Sequence, residues 1–218
     1  MIIQGQVGPI AQSATPGTNP PIRQGNQGDM IVSELHGRYY ETAYRRNLFS
    51  GALSGATGVT ATALGLVTAT AYTGLVLYNP PGSTVNCVLQ KVGYSFPIAP
   101  AAASVVSIGI GFSALPLITT TAVTVRNNYI NGPASVAALY SVATPGITTT
   151  APVTTYPVYT LGWVGTVAAT STGQTPTALV DLEGSIVIPP TGYACFYLST
   201  VANTNGFFGS MAWEEVPV

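Results

Sequence analysis

The chain has 218 residues and a formal net charge of −1, long enough to bury one large core or two small ones. Only 6% of it is charged, against about 25% in ordinary soluble domains, and six Lys plus Arg in total exclude a broad phosphate-neutralising face and with it nucleic acid as a direct partner. A surface so short of ionic groups is expected to face other protein, which makes self-association the first expectation.

Residues 1–28 are rich in Gly, Gln and Pro, with Pro16, Pro20 and Pro21 close together. They read as an extended N-terminal arm, either disordered or ordered against a partner subunit, because they cannot bury enough apolar area to fold alone. No basic stretch followed by an apolar run opens the chain, so a cleavable secretion signal is not expected. Residues 29–50 form a charged docking segment that holds Asp29, Glu34, His36, Arg38, Glu41, Arg45 and Arg46, nearly half of the ionic groups of the chain. Within it the run Tyr39 to Tyr44 admits two conformations. A helical turn sets Tyr40 beside Tyr44 and Glu41 beside Arg45, whereas the aromatic content favours a strand. With no helix cap and no sustained helical period, strand and turn is the expectation, His36-Gly37 sitting in the turn.

Residues 51–218 read as an all-β body. Residues 51–72 are Ala, Thr, Gly and Val, and β-branched side chains at this density argue for extended structure. Leu75-Val76-Leu77-Tyr78 enters an Asn79-Pro80-Pro81-Gly82-Ser83 turn and leaves along residues 85–96, with prolines placed where a missing N–H does no harm. Residues 105–112 place Gly109 and Gly111 on one face and Ile108, Ile110 and Phe112 on the other. Runs at 118–125, 136–143 and 156–169 follow. The interval between Lys91 and Arg126 is uncharged, but Pro97, Pro100 and Pro116 break it, so no membrane span is expected.

Residues 185–218 organise the whole. Ser185-Ile186-Val187-Ile188, a Pro189-Pro190-Thr191-Gly192 corner, residues 193–199 and a terminal run from 207 form the closing strands of an antiparallel sheet. Tyr193, Cys195 and Tyr197 share one face of their strand and Ala194, Phe196 and Leu198 the other. Both faces are apolar, so the strand lies between two layers or against a neighbouring subunit, and Met211 and Trp213 on the last strand are interface candidates of the same kind. Eight to ten strands without a long helix fit a jelly-roll-like antiparallel β-sandwich.

Chemistry has little to work with. His36 is the only histidine and no Ser stands in a Gly-x-Ser-x-Gly elbow, so no catalytic triad is expected; with one His and two Cys the common zinc spacings are absent as well. Asp181 and Glu183 could act as a paired-acid glycosidase site or as calcium ligands, but Asp181-Leu182-Glu183-Gly184 reads more simply as a polar turn before a strand. No enzyme activity and no cofactor are expected. Cys87 and Cys195 could pair if their strands are neighbours, buried free thiols being the simpler reading. Twelve tyrosines could line a sugar-binding surface or serve packing. Arg38, Tyr40, Glu41, Tyr44, Arg45 and Arg46 stand out as an assembly device, since scarce charges gathered beside an arm can fix docking orientation.

Three segments carry a resemblance. Leu35-His36-Gly37-Arg38-Tyr39-Tyr40-Glu41, Leu77-Tyr78-Asn79-Pro80-Pro81-Gly82-Ser83 and Met211-Ala212-Trp213-Glu214-Glu215-Val216-Pro217 together resemble structural proteins of tailed bacteriophages, of the capsid-decorating or tail-associated kind. The resemblance implies a virion component, assembled in the host cytoplasm, with a β-sandwich body and a homotrimeric state. Its partners would be the major capsid protein or tail proteins. It carries no enzymatic residue. The function expected is that of a capsid decoration or cement protein; the alternatives are a tail or fibre protein that binds a host glycan and, behind it, a glycan-active enzyme.

Overall fold

A computed structural model describes residues 5–6, 22–23, 37–53, 59, 72–98, 100, 102–112, 119–143, 155–165, 177–200 and 206–218. The chain divides into two compact units, Met1–Tyr40 and Glu41–Val218. In the first, β1 (Gly5–Gln6) pairs in parallel with β2 (Ile22–Arg23). The rest of the arm, together with Asp29, Glu34 and His36, lies outside the described residues.

The second unit is a β-sandwich. One sheet has the order β11-β5-β13-β3-β8 and the other β10-β6-β12-β4-β9-β7. The strands of the first are β3 (Leu48–Ala52), β5 (Val85–Ser95), β8 (Val125–Asn127), β11 (Thr177–Ile188) and β13 (Phe208–Pro217). Those of the second are β4 (Tyr72–Tyr78), β6 (Ser104–Phe112), β7 (Thr119–Val123), β9 (Ala138–Ala143), β10 (Thr155–Val164) and β12 (Gly192–Leu198). Neighbouring strands in both sheets are antiparallel. The two closing strands, β12 and β13, each slot between two earlier ones.

Alternation explains the core. Met211 and Trp213 pair with Val92 and Leu89 and point inward with them, while Ala194, Phe196 and Leu198 meet them from the other sheet in one cluster. Phe196 and Phe207 cross edge to face at 5.3 Å, and Trp213 stacks on Phe49 at 6.4 Å, geometries that add to plain area burial. The opposite face of β12 is buried too: Tyr193 and Cys195 join Tyr72, Val76 and Tyr78 in a second cluster. Both faces of the strand are therefore buried, one against the opposite sheet and the other beside side chains of its own sheet. Cys87 sits in the first cluster and Cys195 in the second, and both thiols are free.

Both proline corners are held by one side chain. Asn79, fully buried, donates Nδ2–H bonds to the carbonyls of Val85 (2.8 Å) and Ile188 (3.0 Å). Its own backbone exchanges bonds with Thr191 and Gly192, so the 79–84 turn and the 189–191 corner are tied side by side.

Four expectations need correction. Residues 40–44 are helical, α1 (Tyr40–Tyr44), because the segment satisfies its backbone locally. The amides of Arg45, Arg46 and Asn47 bond back to the carbonyls of Glu41, Ala43 and Thr42, the last two in the pattern of a Schellman closure with Arg46 in the left-handed region at φ 65. Second, residues 181–184 are not a turn before a strand: β11 runs through them, and its five steps from Asp181 to Ile186 span only two on β5, from Lys91 to Leu89. Glu183 and Gly184, at φ 54 and 75, absorb the surplus as a bulge. Third, the run at 118–125 is two strands, β7 in one sheet and β8 in the other, so the chain crosses between layers at Thr124 and joins them on that side. Fourth, Phe112 does not pack with Ile108 but is 60% exposed.

Candidate functional site

The strand registers bring several loops and strand ends together at one end of the sandwich. β13 ends beside the start of β5, where Pro217 pairs with Val85; β11 ends there at Ile188, opposite Cys87; β12 starts there, with Gly192 opposite Phe112 of β6. β3 starts at the same end, and its Phe49 pairs with Asn127, the last residue of β8. The 79–84 turn, the 189–191 corner, the C-terminus and the 128–137 loop therefore all emerge together. Tyr44, Phe112, Tyr129, Ile130, Val136 and Val218 are exposed there, a concentration of apolar side chains of the kind that marks an interaction surface.

The 128–137 loop is built rigidly. Asn127 donates from Nδ2 to the carbonyls of Arg46 (2.7 Å) and Pro133 (3.3 Å), and its Oδ1 accepts the amide of Tyr129 (2.8 Å). The Arg46 guanidinium lies 4.7 Å from the Tyr129 ring centroid, a cation–π contact. At the other end of the loop the Glu215 carboxylate, 7% exposed, accepts from Ser135 Oγ (2.5 Å), from the amides of Val136 (3.0 Å) and Ala137 (3.1 Å) and from Trp213 Nε1 (3.4 Å). Charge-assisted bonds of this sort are the strong class. Between the two anchors the turn closed by Gly132 N–H on the Tyr129 carbonyl (2.8 Å) holds out Ile130, 86% exposed.

The predicted assembly residues divide. Glu41 and Arg45 pair at 2.7 Å on the surface of α1, an exposed bridge of small energetic weight. Tyr44 and Arg46 are exposed beside the loop, Tyr40 is exposed at the start of α1, and Arg38 stands 5.8 Å over the ring of Tyr39. Met211 and Trp213 are 1% and 0% exposed; their side chains fill the core and offer no surface. Sequence reasoning missed Tyr129, Ile130 and Glu215. The signal was present in Asn127-Asn128-Tyr129-Ile130-Asn131-Gly132-Pro133, where two large apolar residues interrupt an otherwise turn-forming run.

On the far flank β10 exposes Tyr159 and, at 70%, Trp163, next to a cleft of about 480 Å³ lined by Tyr159, Thr160, Asp181, Leu182 and Glu183. The Asp181 carboxylate accepts the amide of Glu183 (3.0 Å), so it shapes its own bulge. Among the described residues no group of three His, Cys, Asp or Glu could hold a metal ion, and no helix is long and apolar enough to cross a membrane. Burial pushes the Cys87 thiol up to about 12, the Glu215 carboxylate adding to the shift, and raises Cys195 and Tyr72 as well.

These features define a charge-poor β-sandwich whose one end is an ordered apolar surface. No protein-family model matches the chain, and no curated protein or solved structure is detectably similar to it.

Proposed function

We propose that this protein is a structural subunit of a virus particle, a capsid decoration or cement protein that acts through contacts with its own copies and with the shell and catalyses nothing. The observation that carries the reading is the ordered apolar end on a body with 6% charged residues, since a monomer keeps such a surface small and ringed with charge. The wiring supports it. β3-β13-β5-β11 facing β4-β12-β6-β10 is read here as the eight-strand order of a jelly roll, an architecture common among viral capsid and lectin domains, with β7, β8 and β9 as an insertion that widens both sheets. Fold alone does not assign function; the resemblance of the three short segments to tailed-phage structural proteins points in the same direction. In this reading many copies at joints between capsomers add contacts at several points and stabilise the shell by mass action and avidity.

A second reading rests on Tyr159, which lines the Asp181 cleft, and on exposed Trp163 further along β10, where aromatic faces on the strand that borders carboxylates would suit a host glycan and make the chain a tail or fibre component. Electron microscopy of assembled particles tests both. Density for this subunit on the head, at capsomer joints, is expected; density on the tail alone, with glycan retained by the wild type and lost in Trp163→Ala, favours the second reading, and absence from particles rejects both.

A further inference from the structure

The face of the six-stranded sheet that points away from the core is as closed to solvent as the core itself. Tyr72, Val76, Tyr78, Tyr193 and Cys195 lie on it, none more than 3% exposed. Ser107, on the same face through its pairing with Tyr197, is buried as well. Among the described residues the cluster draws its members from β4 and β12 alone, with Tyr140 of β9 and Tyr197 of β12 beside it. Neighbours about 4.8 Å apart in one sheet screen each other's flanks and leave the tops open, so a further layer of chain lies across them. The registers name the segment that has to make the crossing. Ala138, Tyr78, Tyr193, Gly111 and Thr155 form one continuous row across β9, β4, β12, β6 and β10. Every pairing between β9 and β10 in that row is antiparallel, so the two strands run parallel, and the chain that leaves β9 at Ala143 must come back to the row of Ala138 to enter β10 at Thr155. At ordinary spacings that is about 19 Å across the strands and about 17 Å along them, a diagonal of about 26 Å. Residues 144–154 lie outside the described residues, but an extended chain of that length reaches about 40 Å, enough for the diagonal with room to rise off the sheet. A detour around the free edge of β10 needs about 45 Å, and the space between the sheets is filled by the core.

We propose that residues 144–154 cross the outer face of this sheet as a third layer and seal the tyrosine cluster. Midway along the diagonal the crossing passes over β12 at Cys195, whose row is Gly109, Cys195, Val76 and Tyr140. Gly109, without a side chain, leaves a low place there for backbone to approach, while Tyr193 and Tyr197 rise on either side of Cys195 along β12. The segment suits the position. Thr144-Pro145-Gly146-Ile147-Thr148-Thr149-Thr150-Ala151-Pro152-Val153-Thr154 carries no charge, and its β-branched residues favour extended chain. Its two prolines bring no N–H that burial would orphan, and its threonine hydroxyls both donate and accept, as the tyrosine hydroxyls beneath them do. The 113–118 connection also joins parallel strands, β6 and β7, but one strand further over, so its midpoint falls above β4 and not above Cys195. Covered by its own chain, the face is withdrawn from any partner or glycan, and the β10 flank and the apolar end remain as the open surfaces.

Cys195 reports the crossing, and Cys87, buried between the sheets, is the control. A protease recognition sequence is placed between Thr149 and Thr150 of the full-length chain, and maleimide labelling of each thiol is followed by peptide mass spectrometry before and after the cut. Cleavage is expected to speed the labelling of Cys195 at least a hundredfold and to leave Cys87 protected. The same cut between Ala114 and Leu115 is expected to bring Cys195 to less than a tenth of that rate. As a second readout, Thr148→Cys, Thr149→Cys and Thr150→Cys variants of the uncut chain are oxidised, and at least one should form a disulfide with Cys195 and none with Cys87. A Cys195 that stays protected after the cut at Thr149, or that is unmasked faster by the cut at Ala114, would overturn the inference. If the cut at Thr149 exposes both thiols alike, the crosslinks decide: a disulfide to Cys195 upholds the crossing, and its absence from all three variants rejects it.

Discussion

Glu215 is the residue whose role departs most from its position in the sequence. Beside Glu214 near the terminus it reads as a solubilising charge or half of an interface ion pair, yet strand alternation sends Glu214 outward, where Gln90 Nε2 donates to it at 3.4 Å, and turns Glu215 in towards the 135–137 amides. Removing the carboxylate leaves the amide of Ala137, a buried residue, without its acceptor. Each such orphaned group costs about 1–3 kcal/mol, so Glu215→Ala should lower stability by about 3 kcal/mol. Glu215→Gln, which keeps one acceptor oxygen, should cost about 1 kcal/mol. Urea unfolding measures both, and a Glu215→Ala midpoint equal to wild type would show that the loop has another anchor.

Arg46 poses a different balance at the same scale. A non-glycine residue in the left-handed region costs about 1–2 kcal/mol, and the contact with Tyr129 returns about 0.5–1 kcal/mol. Arg46→Gly should therefore be neutral to slightly stabilising in thermal unfolding while loosening the Tyr129 side of the loop and weakening association. A variant that loses several degrees of melting temperature would mean that the guanidinium holds more than this one ring.

At the scale of elements, β4 shows how a strand bends to satisfy a buried hydroxyl. Its register with β9 slips between Thr73 and Val76, and there the Tyr72 hydroxyl folds back to accept the amide of Leu75 (3.2 Å) and donates to the carbonyl of Phe196 on β12 (2.7 Å). Gly74, at φ 149, makes room, because a methyl group there would collide with the Tyr72 hydroxyl. Gly74→Ala combines that collision with a backbone conformation costing about 1–3 kcal/mol for other residues, so a loss of at least about 2 kcal/mol is expected in chemical denaturation. Wild-type stability in that variant would show that β4 can pair with β9 without its bulge.

The molecule as a whole has a stability that should depend on alkaline pH more than its few charges imply. Cys87 and Cys195 are fully buried as neutral thiols, with folded-state values raised above the ordinary 9.0, that of Cys87 to about 12. A group held neutral by folding binds its proton more tightly in the native state, so its contribution is complete below about 9 and is lost progressively as pH rises towards 12. Tyr72, raised for the same reason of burial, adds a loss of the same sign at higher pH. Unfolding midpoints should be flat from pH 7 to 8.5 and fall above that; a midpoint unchanged at pH 10.5 would contradict the burial of these groups.

Much of the body was legible along the chain. The unbroken apolar run at 193–198 and the proline corners at 80–81 and 189–190 pointed to an antiparallel all-β protein, since each of these signals acts within a few residues of itself; the β-branched stretch at 51–72 lies mostly outside the described residues. The same locality is why the β11 bulge reads as a turn, since a three-residue surplus against β5 is settled by a partner strand that a propensity does not see; α1 differs because backbone bonds from residues 45–47 close it against the strand preference of its aromatic side chains. The composition alone determined that this surface is short of ionic groups. Which apolar residues stay outside was decided only by the tertiary structure. Met211 and Trp213 pass into the core and Phe112 remains at the surface because strand register, fixed by pairing with residues 80 or more positions away, chooses the face of each side chain, and Ile130 stays outside because the same registers gather separate loops at one end.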